Sequence, residues 1–325
     1  MKVLVTGATG LVGTALVKSL ARDGHTVCRL LRRESETSKK TAKGAKAEKP
    51  AGPGQVLDVA WDPEASAASA IGDPQGHVTG ADAVVNLAGA SVADGKWTTQ
   101  RKMQLRASRI KTTRSLLTAL EKIGVRPSVF VSASAIGIYG DRGDEILTEQ
   151  SSPGRGFLAG LTGEWETEAR AAQALGMRVV CARFGIILST SGGALPQMMR
   201  AFRLMVGGKL GSGRQWMSWV TLDDAIGALR FGLERTSVSG AANVVSLQPV
   251  RNEKFASELG RAMHRPSIFP TPPFALRMAL GKEAAEEMIL ASTRVLPKRL
   301  QEFGYEFAHA DLRLALEDVL HGNGN

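Results

Sequence analysis

Two tyrosines and two cysteines are all that 325 residues contain, and each scarcity excludes some chemistry. Cys28 and Cys181 sit inside apolar runs that read as buried strands, so no disulfide scaffold is expected and a reducing compartment such as the cytoplasm fits. Five histidines, His25, His77, His264, His309 and His321, are dispersed with no pair at ligand spacing, so no metal centre is expected. A Gly-x-Ser-x-Gly nucleophile turn is absent. No run reaches the roughly 18 apolar residues of a membrane span. With the first apolar strand beginning almost at Met1, no targeting segment is expected in this chain.

Charge is present in excess. Lys and Arg number 41 against 31 Asp and Glu, a net +10 that suits an anionic ligand, nucleic acid or an acidic membrane surface without choosing among them. Much of the surplus falls in 32–49 and 101–114. The first of these is poor in apolar residues and runs into "PAGPG", which predicts a solvated, mobile insertion over about residues 34–55. It has no interleaved aromatics for base stacking, so nucleic-acid binding is not expected.

"KVLVTGATGLVGTALVKSLARDGHTVCRLLRR" reads as strand, glycine-rich turn, amphipathic helix, stop at Gly24 and second strand. Further buried-strand candidates at 82–90, 128–136 and 178–187 alternate with helix-like segments, which predicts a parallel sheet with helices on both faces. The expected class is α/β, a Rossmann doubly wound sheet with a smaller C-terminal substrate-side lobe. Residues 1–188, with 216–245 returning to them, should form the nucleotide-binding domain. Residues 189–215 and 246–325 should form the mostly helical lobe.

The turn carries the first functional signal. Gly7, Gly10 and Gly13 follow strand one and open the helix, where Gly7, Thr9, Gly10, Leu11, Val12 and Gly13 would bring backbone N–H groups to a pyrophosphate. Strand two ends in Arg32 and Arg33 without the acid that binds an unphosphorylated ribose, so NADP(H) is the expected cofactor. "NLAGA" at 86–90 resembles the Asn-x-Ala-Gly element of the short-chain dehydrogenase superfamily, which implies that Leu87, Ala88 and Gly89 line the adenosine side of the cofactor. In the following helix Leu105, Arg109, Thr112 and Leu116 share one face by spacing, and Arg109 is a candidate for a cofactor phosphate. Gln104 and Ile186 complete the expected cofactor-facing set.

"NLAGASVADGKWTTQRKMQLRASRIKTT", "SAIGIYGDRGDEILTE", "FLAGLTGEWE", "GSGRQWMSWVTLDD" and "RPSIFPTPPFALRMALGKEAAEEMILASTRVLPKRLQEFGYEF" together resemble the atypical, extended-type short-chain dehydrogenases of the epimerase family, similar to the family-39U members and to bacterial sugar-nucleotide epimerases. The resemblance implies a catalytic Ser and a Tyr with Lys four residues on. Ser134 matches the serine role, but Leu158 and Thr162 occupy the Tyr and Lys positions, and neither Tyr139 nor Tyr305 has a Lys four residues later. Standard Tyr-Lys chemistry is therefore excluded.

Tyr139, in "IYGDRGD" with Asp141, Arg142 and Asp144, is the candidate acid beside Ser134. Arg214, Gln215 and Trp216 suit an anionic or planar substrate group, while Asp223 and Asp224 are expected to cap the helix that follows them. The expectation is an NADP(H)-binding oxidoreductase or epimerase-like protein of unknown small-molecule substrate. The alternative is a non-catalytic, cofactor-bound interaction protein, which the resemblance links to cell or plastid division.

Overall fold

A computed structural model describes residues 1–32, 54–67 and 69–322. Its organising element is an eight-stranded sheet in the order β12-β8-β6-β5-β1-β2-β3-β4. The members are β1 (Lys2–Thr6), β2 (Thr26–Arg32), β3 (Val56–Trp61), β4 (Ile71–Gly72), β5 (Ala83–Asn86), β6 (Val129–Ala135), β8 (Arg178–Phe184) and β12 (Gly240–Val244). β1 pairs in parallel with both β2 and β5, β2 with β3, and β5 with β6, while β4 returns antiparallel to β3. Val3 to Val5 of β1 have no exposed surface, as a strand covered on both faces requires.

The strand order reverses at β1. From there the chain runs outward through β2, β3 and β4, then returns to β5 on the other side. Ligands of doubly wound sheets bind outside the carboxyl ends of the strands at such a reversal. Here those ends lead into Gly7 on one side and Leu87 on the other.

Helix α1 (Leu11–Arg22) buries Leu16, Val17, Leu20 and Ala21, the 3.6-residue face legible in "LVGTALVKSLAR", and Gly24 ends it at φ +83°. Of the predicted insertion only Gly54 and Gln55 are described. Gly54 N donates to Ala21 O, and Gln55 O accepts from Val27 N. Arg33 and the rest of that insertion lie outside the described residues.

The chain divides into two compact units: residues 1–90, 106–133 and 167–180, and residues 91–105, 134–166 and 181–325. The second unit takes in residues 134–166, from the end of β6 on, as well as the chain from 181 onward.

Helices α2 (Thr99–Arg106) and α3 (Thr112–Lys122) are joined by a π-helical turn, Ala107–Lys111. The second unit holds α4 (Phe157–Glu166 of the helix Phe157–Arg170), α5 (Leu195–Arg203), α6 (Leu222–Glu234), α7 (Asn252–Ala262) and α8 (Pro273–Leu280). It also holds three two-stranded pairs: β7 (Ile146–Leu147) with β14 (Arg294–Val295), β9 (Ile186–Leu188) with β11 (Trp219–Thr221), and β10 (Trp216–Met217) with β13 (Val250–Arg251). One of its core clusters packs Leu195, Met199 and Phe202 of α5 with Phe255 and Leu259 of α7 and with Leu312 and Leu316 of the C-terminal helix. Among the described residues no helix is long and apolar enough to cross a membrane.

Cys28 on β2 and Cys181 on β8 are both buried, free thiols. Burial pushes the Cys28 thiol up, with Lys2 opposing, and its Sγ donates to His77 O. Neither should react with a chromogenic disulfide reagent in the native protein, and both should titrate after denaturation. Fast labelling of either one in the folded state would contradict this packing.

Candidate functional site

At the reversal point the backbone packs on itself so closely that only glycine fits. Gly7 has φ +64°, and a Cβ there would lie 2.5 Å from Leu87 O; a Cβ on Gly13 would collide with Gly7 O and approach Ala8 Cα to 2.8 Å. Gly10 N donates to Gly7 O at 3.0 Å, closing the turn. Gly10 is also the N-cap of α1, with no side-chain cap and no acid in the first turn. The positive end of α1 is thus presented with Thr9 and Gly10 exposed, as an anion-binding helix start requires.

The second wall is fixed by a buried hydroxyl. Thr6 Oγ1 donates to Asn86 Oδ1 at 2.7 Å and accepts from Leu87 N and Ala88 N, while Asn86 Nδ2 donates to Thr113 Oγ1 at 2.9 Å. These bonds pin Leu87 and Ala88 against the glycine turn. Gly89 follows, and a Cβ on it would meet the Arg109 guanidinium carbon at 3.3 Å. Arg109 lies in the π turn rather than a regular α-helix, and Ala90 N donates to Ser108 Oγ in the same turn. Leu105, Thr112 and Leu116 are buried while Arg109 is half-buried.

The remaining cofactor candidates are more dispersed. Arg32 is exposed at the end of β2, in register with Trp61. Gln104 is exposed and accepts from Arg101 Nη1, and Ile186 is half-buried on β9, packed against the second unit's core.

A buried polar centre occupies the second unit. Ser134 Oγ donates to Glu166 Oε1 at 2.7 Å, and Arg183 donates from Nε to Oε1 at 2.7 Å and from Nη2 to Oε2 at 2.9 Å. Arg183 Nη1 donates to the Tyr139 hydroxyl at 2.8 Å, which in turn donates to Asn243 Oδ1 at 2.7 Å. Asn243 Nδ2 donates to Leu296 O. Glu166 is 1% exposed and Tyr139 0%.

The two charges neutralise each other through a bidentate pair, the arrangement that permits burial. Burial pulls the Arg183 guanidinium down, but its bonds to Glu166 and Tyr139 hold it above its ordinary value. Burial pushes the Tyr139 phenol up, with Arg183 opposing. The structure therefore brings Ser134 and Tyr139 into one network, but Tyr139 has no exposed surface and its hydroxyl already donates and accepts.

Glu166 and Arg183 went unread as a site. The signal was there: "RVVCARF" carries a charge inside a run whose other residues demand burial, and such a charge needs a partner.

The Tyr and Lys positions are filled otherwise. Thr162 is buried, and Leu158 packs on Gly137, where an added Cβ would meet Leu158 Cβ at 3.3 Å. Immediately beside Leu158 stands a carboxylate from 129 residues away. Glu287 Oε1 accepts from Phe157 N and Oε2 from Leu158 N, both at 2.8 Å, satisfying two of the N–H groups at the start of α4. Gly156, at φ +108°, is what leaves space, since a Cβ there would lie 2.7 Å from Glu287 Oε1. Trp97 meets Phe157 edge-on at 5.1 Å, and Lys102, ion-paired with Glu283, lies over the same Phe157 ring. No local spacing in the sequence announces Glu287.

Two expectations for the second unit change. The N-cap of α6 is Thr221, whose side chain accepts from Asp224 N; neither Asp223 nor Asp224 caps it. Asp224 instead receives Ala308 N and His309 N, because a carboxylate already inside the first turn is free to tie down a distant loop. Gln215 is buried, with Nε2 donating to Leu210 O and Ile289 O, and is spent on structure. The guanidinium groups of Arg251 and Arg294 each lie 4.3 Å from the Trp216 ring, whose indole N–H donates to Asp144. That hydrogen bond, with help from Arg251, holds the Asp144 carboxyl below its usual range. Arg142 pairs with Glu145, and Asp141 accepts from Ser292 N.

The geometry has relatives. Residues 3–246 match the model of the NAD dependent epimerase/dehydratase family, and residues 271–319 match a domain of unknown function, DUF1731. An epimerase family protein of Mycobacterium tuberculosis is 38% identical over 314 residues, covering 97% of this chain and 96% of its own. The chloroplastic SDR39U1 homologue of Arabidopsis thaliana is 35% identical over 322 residues, covering 98% and 87%. The crystal structure of human SDR39U1 (isoform 2) with NADPH superposes with a TM-score of 0.82 at 29% identity, covering 98% of this chain and 99% of that one. With the glycine turn at the sheet's reversal point and a family match over most of its length, this chain belongs to the NAD dependent epimerase/dehydratase family.

Proposed function

We propose that this protein binds NADP(H) at the Gly7–Gly13 turn and carries out a redox or epimerase-type reaction that does not use a tyrosine-lysine pair. The observation that carries the reading is the glycine turn itself, in which Gly7 and Gly13 permit backbone contacts that a Cβ would block, and α1 offers an uncapped N-terminus. Backbone N–H groups of the turn would hold the pyrophosphate, Leu87 to Gly89 the adenosine side, Arg109 a phosphate, and Arg32 with Arg33 the 2′-phosphate. When bound, the nicotinamide supplies or accepts hydride. The human relative solved with NADPH supports the phosphorylated cofactor.

On the protein side, Ser134, buried with its hydroxyl donating to Glu166, is assigned the serine role toward substrate, which requires that the site open on binding. Tyr139 is assigned to holding Arg183, because its hydroxyl is sealed. A second reading, a cofactor-bound protein without turnover, is favoured by one observation: Leu158 and Thr162 stand where the tyrosine and lysine should be.

The cofactor assignment is tested by calorimetric titration. A charge-assisted contact to the 2′-phosphate is worth about 1.5–3 kcal/mol, so NADPH should bind roughly 10- to 100-fold more tightly than NADH. Arg32→Ala should erase most of that difference. At a hundredfold excess over its Kd, NADPH should stabilise the fold by about 2.7 kcal/mol. Equal affinities for the two cofactors would remove the NADP(H) assignment, and no binding of either would remove the site. Turnover with a sugar-nucleotide or ketone panel decides between the catalytic and non-catalytic readings.

A further inference from the structure

Beyond any cofactor chemistry, the second unit carries a surface built from two adjoining segments, the residues after α5 and those after α7. Phe269 N donates to Gly207 O at 3.3 Å and Thr271 N to Lys209 O at 2.9 Å, and a Cβ on Gly208 would collide with Phe269 O. The underside is anchored, since Phe202 and Leu259 belong to the unit's core. The outer side shows Leu204, Met205, Val206, Ile268 and Phe269, each between 48% and 69% exposed. Met205 is held at φ +61°, a conformation that costs a β-carbon residue energy and fixes the tip.

The chain segments that carry this tip are basic. No Asp or Glu occurs from 169 to 222 or from 259 to 282, whereas Arg200, Arg203, Lys209, Arg261, Arg265 and Arg277 fall in those stretches. Of these, Arg261 is paired with Glu258 and Arg277 with Glu286. Arg200 and Arg203 are exposed, and their guanidinium groups make no hydrogen bond or ion pair among the described residues. Exposed apolar side chains interleaved with unpaired arginines are the composition of an interfacial membrane anchor: the apolar tips enter the acyl boundary while the guanidinium groups meet lipid phosphates. Five side chains this exposed make no groove for a peptide; they suit a broad, anionic surface.

We propose that Leu204, Met205, Val206, Ile268 and Phe269, ringed by Arg200, Arg203 and Arg265, dock this protein on an anionic lipid bilayer. The test is co-flotation of the full chain with vesicles of phosphatidylglycerol and phosphatidylcholine, equimolar, against vesicles of phosphatidylcholine alone. Binding is expected to the first and not the second, and to weaken with salt. Arg200→Ala with Arg203→Ala should lower vesicle affinity roughly 20- to 30-fold, at about fivefold per arginine. Leu204→Ser with Phe269→Ser should abolish it. These side chains are exposed, so both variants should keep the parent's thermal midpoint, and circular dichroism checks that they do. Absence of flotation with the anionic vesicles overturns the proposal. So does binding that survives the Leu204 and Phe269 replacements, which would be diffuse attraction from the net +10. A dimer in light scattering that the same replacements dissolve, without vesicle binding, would instead assign the face to a second copy of this chain.

Discussion

Glu166→Ala is expected to cost about 3–5 kcal/mol of folding stability, the range for removing one partner of a buried ion pair. The loss has three parts. Arg183 keeps its charge in a buried site, the Ser134 hydroxyl loses its acceptor, and the Arg183–Tyr139–Asn243 chain is left holding a net positive charge. Arg183→Leu should cost a similar amount by stranding the carboxylate. Replacing both partners together with apolar residues should cost much less than the sum of the singles, since no orphaned charge remains.

Urea denaturation of the four proteins measures this directly, and two single variants within about 1 kcal/mol of the parent would show that the pair is not a buried lock. Tyr139 adds a pH signature with a definite sign. Its folded-state pKa is raised, so the contribution of the buried phenol is fully present below the ordinary phenol range near 10 and is lost as pH rises through the raised value. Alkaline unfolding should therefore be less steep in Tyr139→Phe.

Gly13→Ala should weaken NADPH binding by at least about 100-fold, while Gly160→Ala leaves it unchanged. The contrast rests on what each new methyl meets. At Gly13 it would strike Gly7 O and press on Ala8 Cα, backbone atoms of the turn itself, so relief is possible only by opening the cradle. At Gly160, on the exposed face of α4, nothing lies within 4 Å, and alanine should add about 0.5–1 kcal/mol of helix stability. Titration with NADPH alongside thermal melts separates binding from folding. A Gly13→Ala protein that binds within threefold of the parent would mean that the turn does not hold the pyrophosphate.

The turn was legible because its signals are local: an apolar strand, three glycines and an amphipathic helix within 22 residues. The same holds for the sheet, whose strands announce themselves as apolar runs. What escaped is what depends on distant partners. Glu287 and Leu158 are 129 residues apart, and nothing in either neighbourhood encodes their meeting. The π turn at Ala107–Lys111 escaped because a regular 3.6-residue count was applied across "QLRASRIKTT", where the helix inserts a wider turn. Asp224 was misassigned for a related reason. A Thr-x-x-Asp run offers two cap candidates, and only the tertiary demand of the 308–309 backbone decides which residue takes the role.

The two family matches, 3–246 and 271–319, invite a picture of a catalytic body with a detachable tail. The hydrogen bonds of the second unit describe a different inheritance. The tail segment supplies Glu287 to the start of α4, Leu296 O to Asn243, strand β14 to β7 and the Tyr305 hydroxyl to Asp224 O. A gene cut after residue 270 would leave the head with an uncapped helix, an unpaired strand and an orphaned amide. Recombination at that junction is therefore disfavoured unless the incoming segment brings the same carboxylate to the same helix. Removal of the tail should unfold the partner segments of the second unit along with it, because the head's own helix start, strand and amide are completed from residues beyond 270.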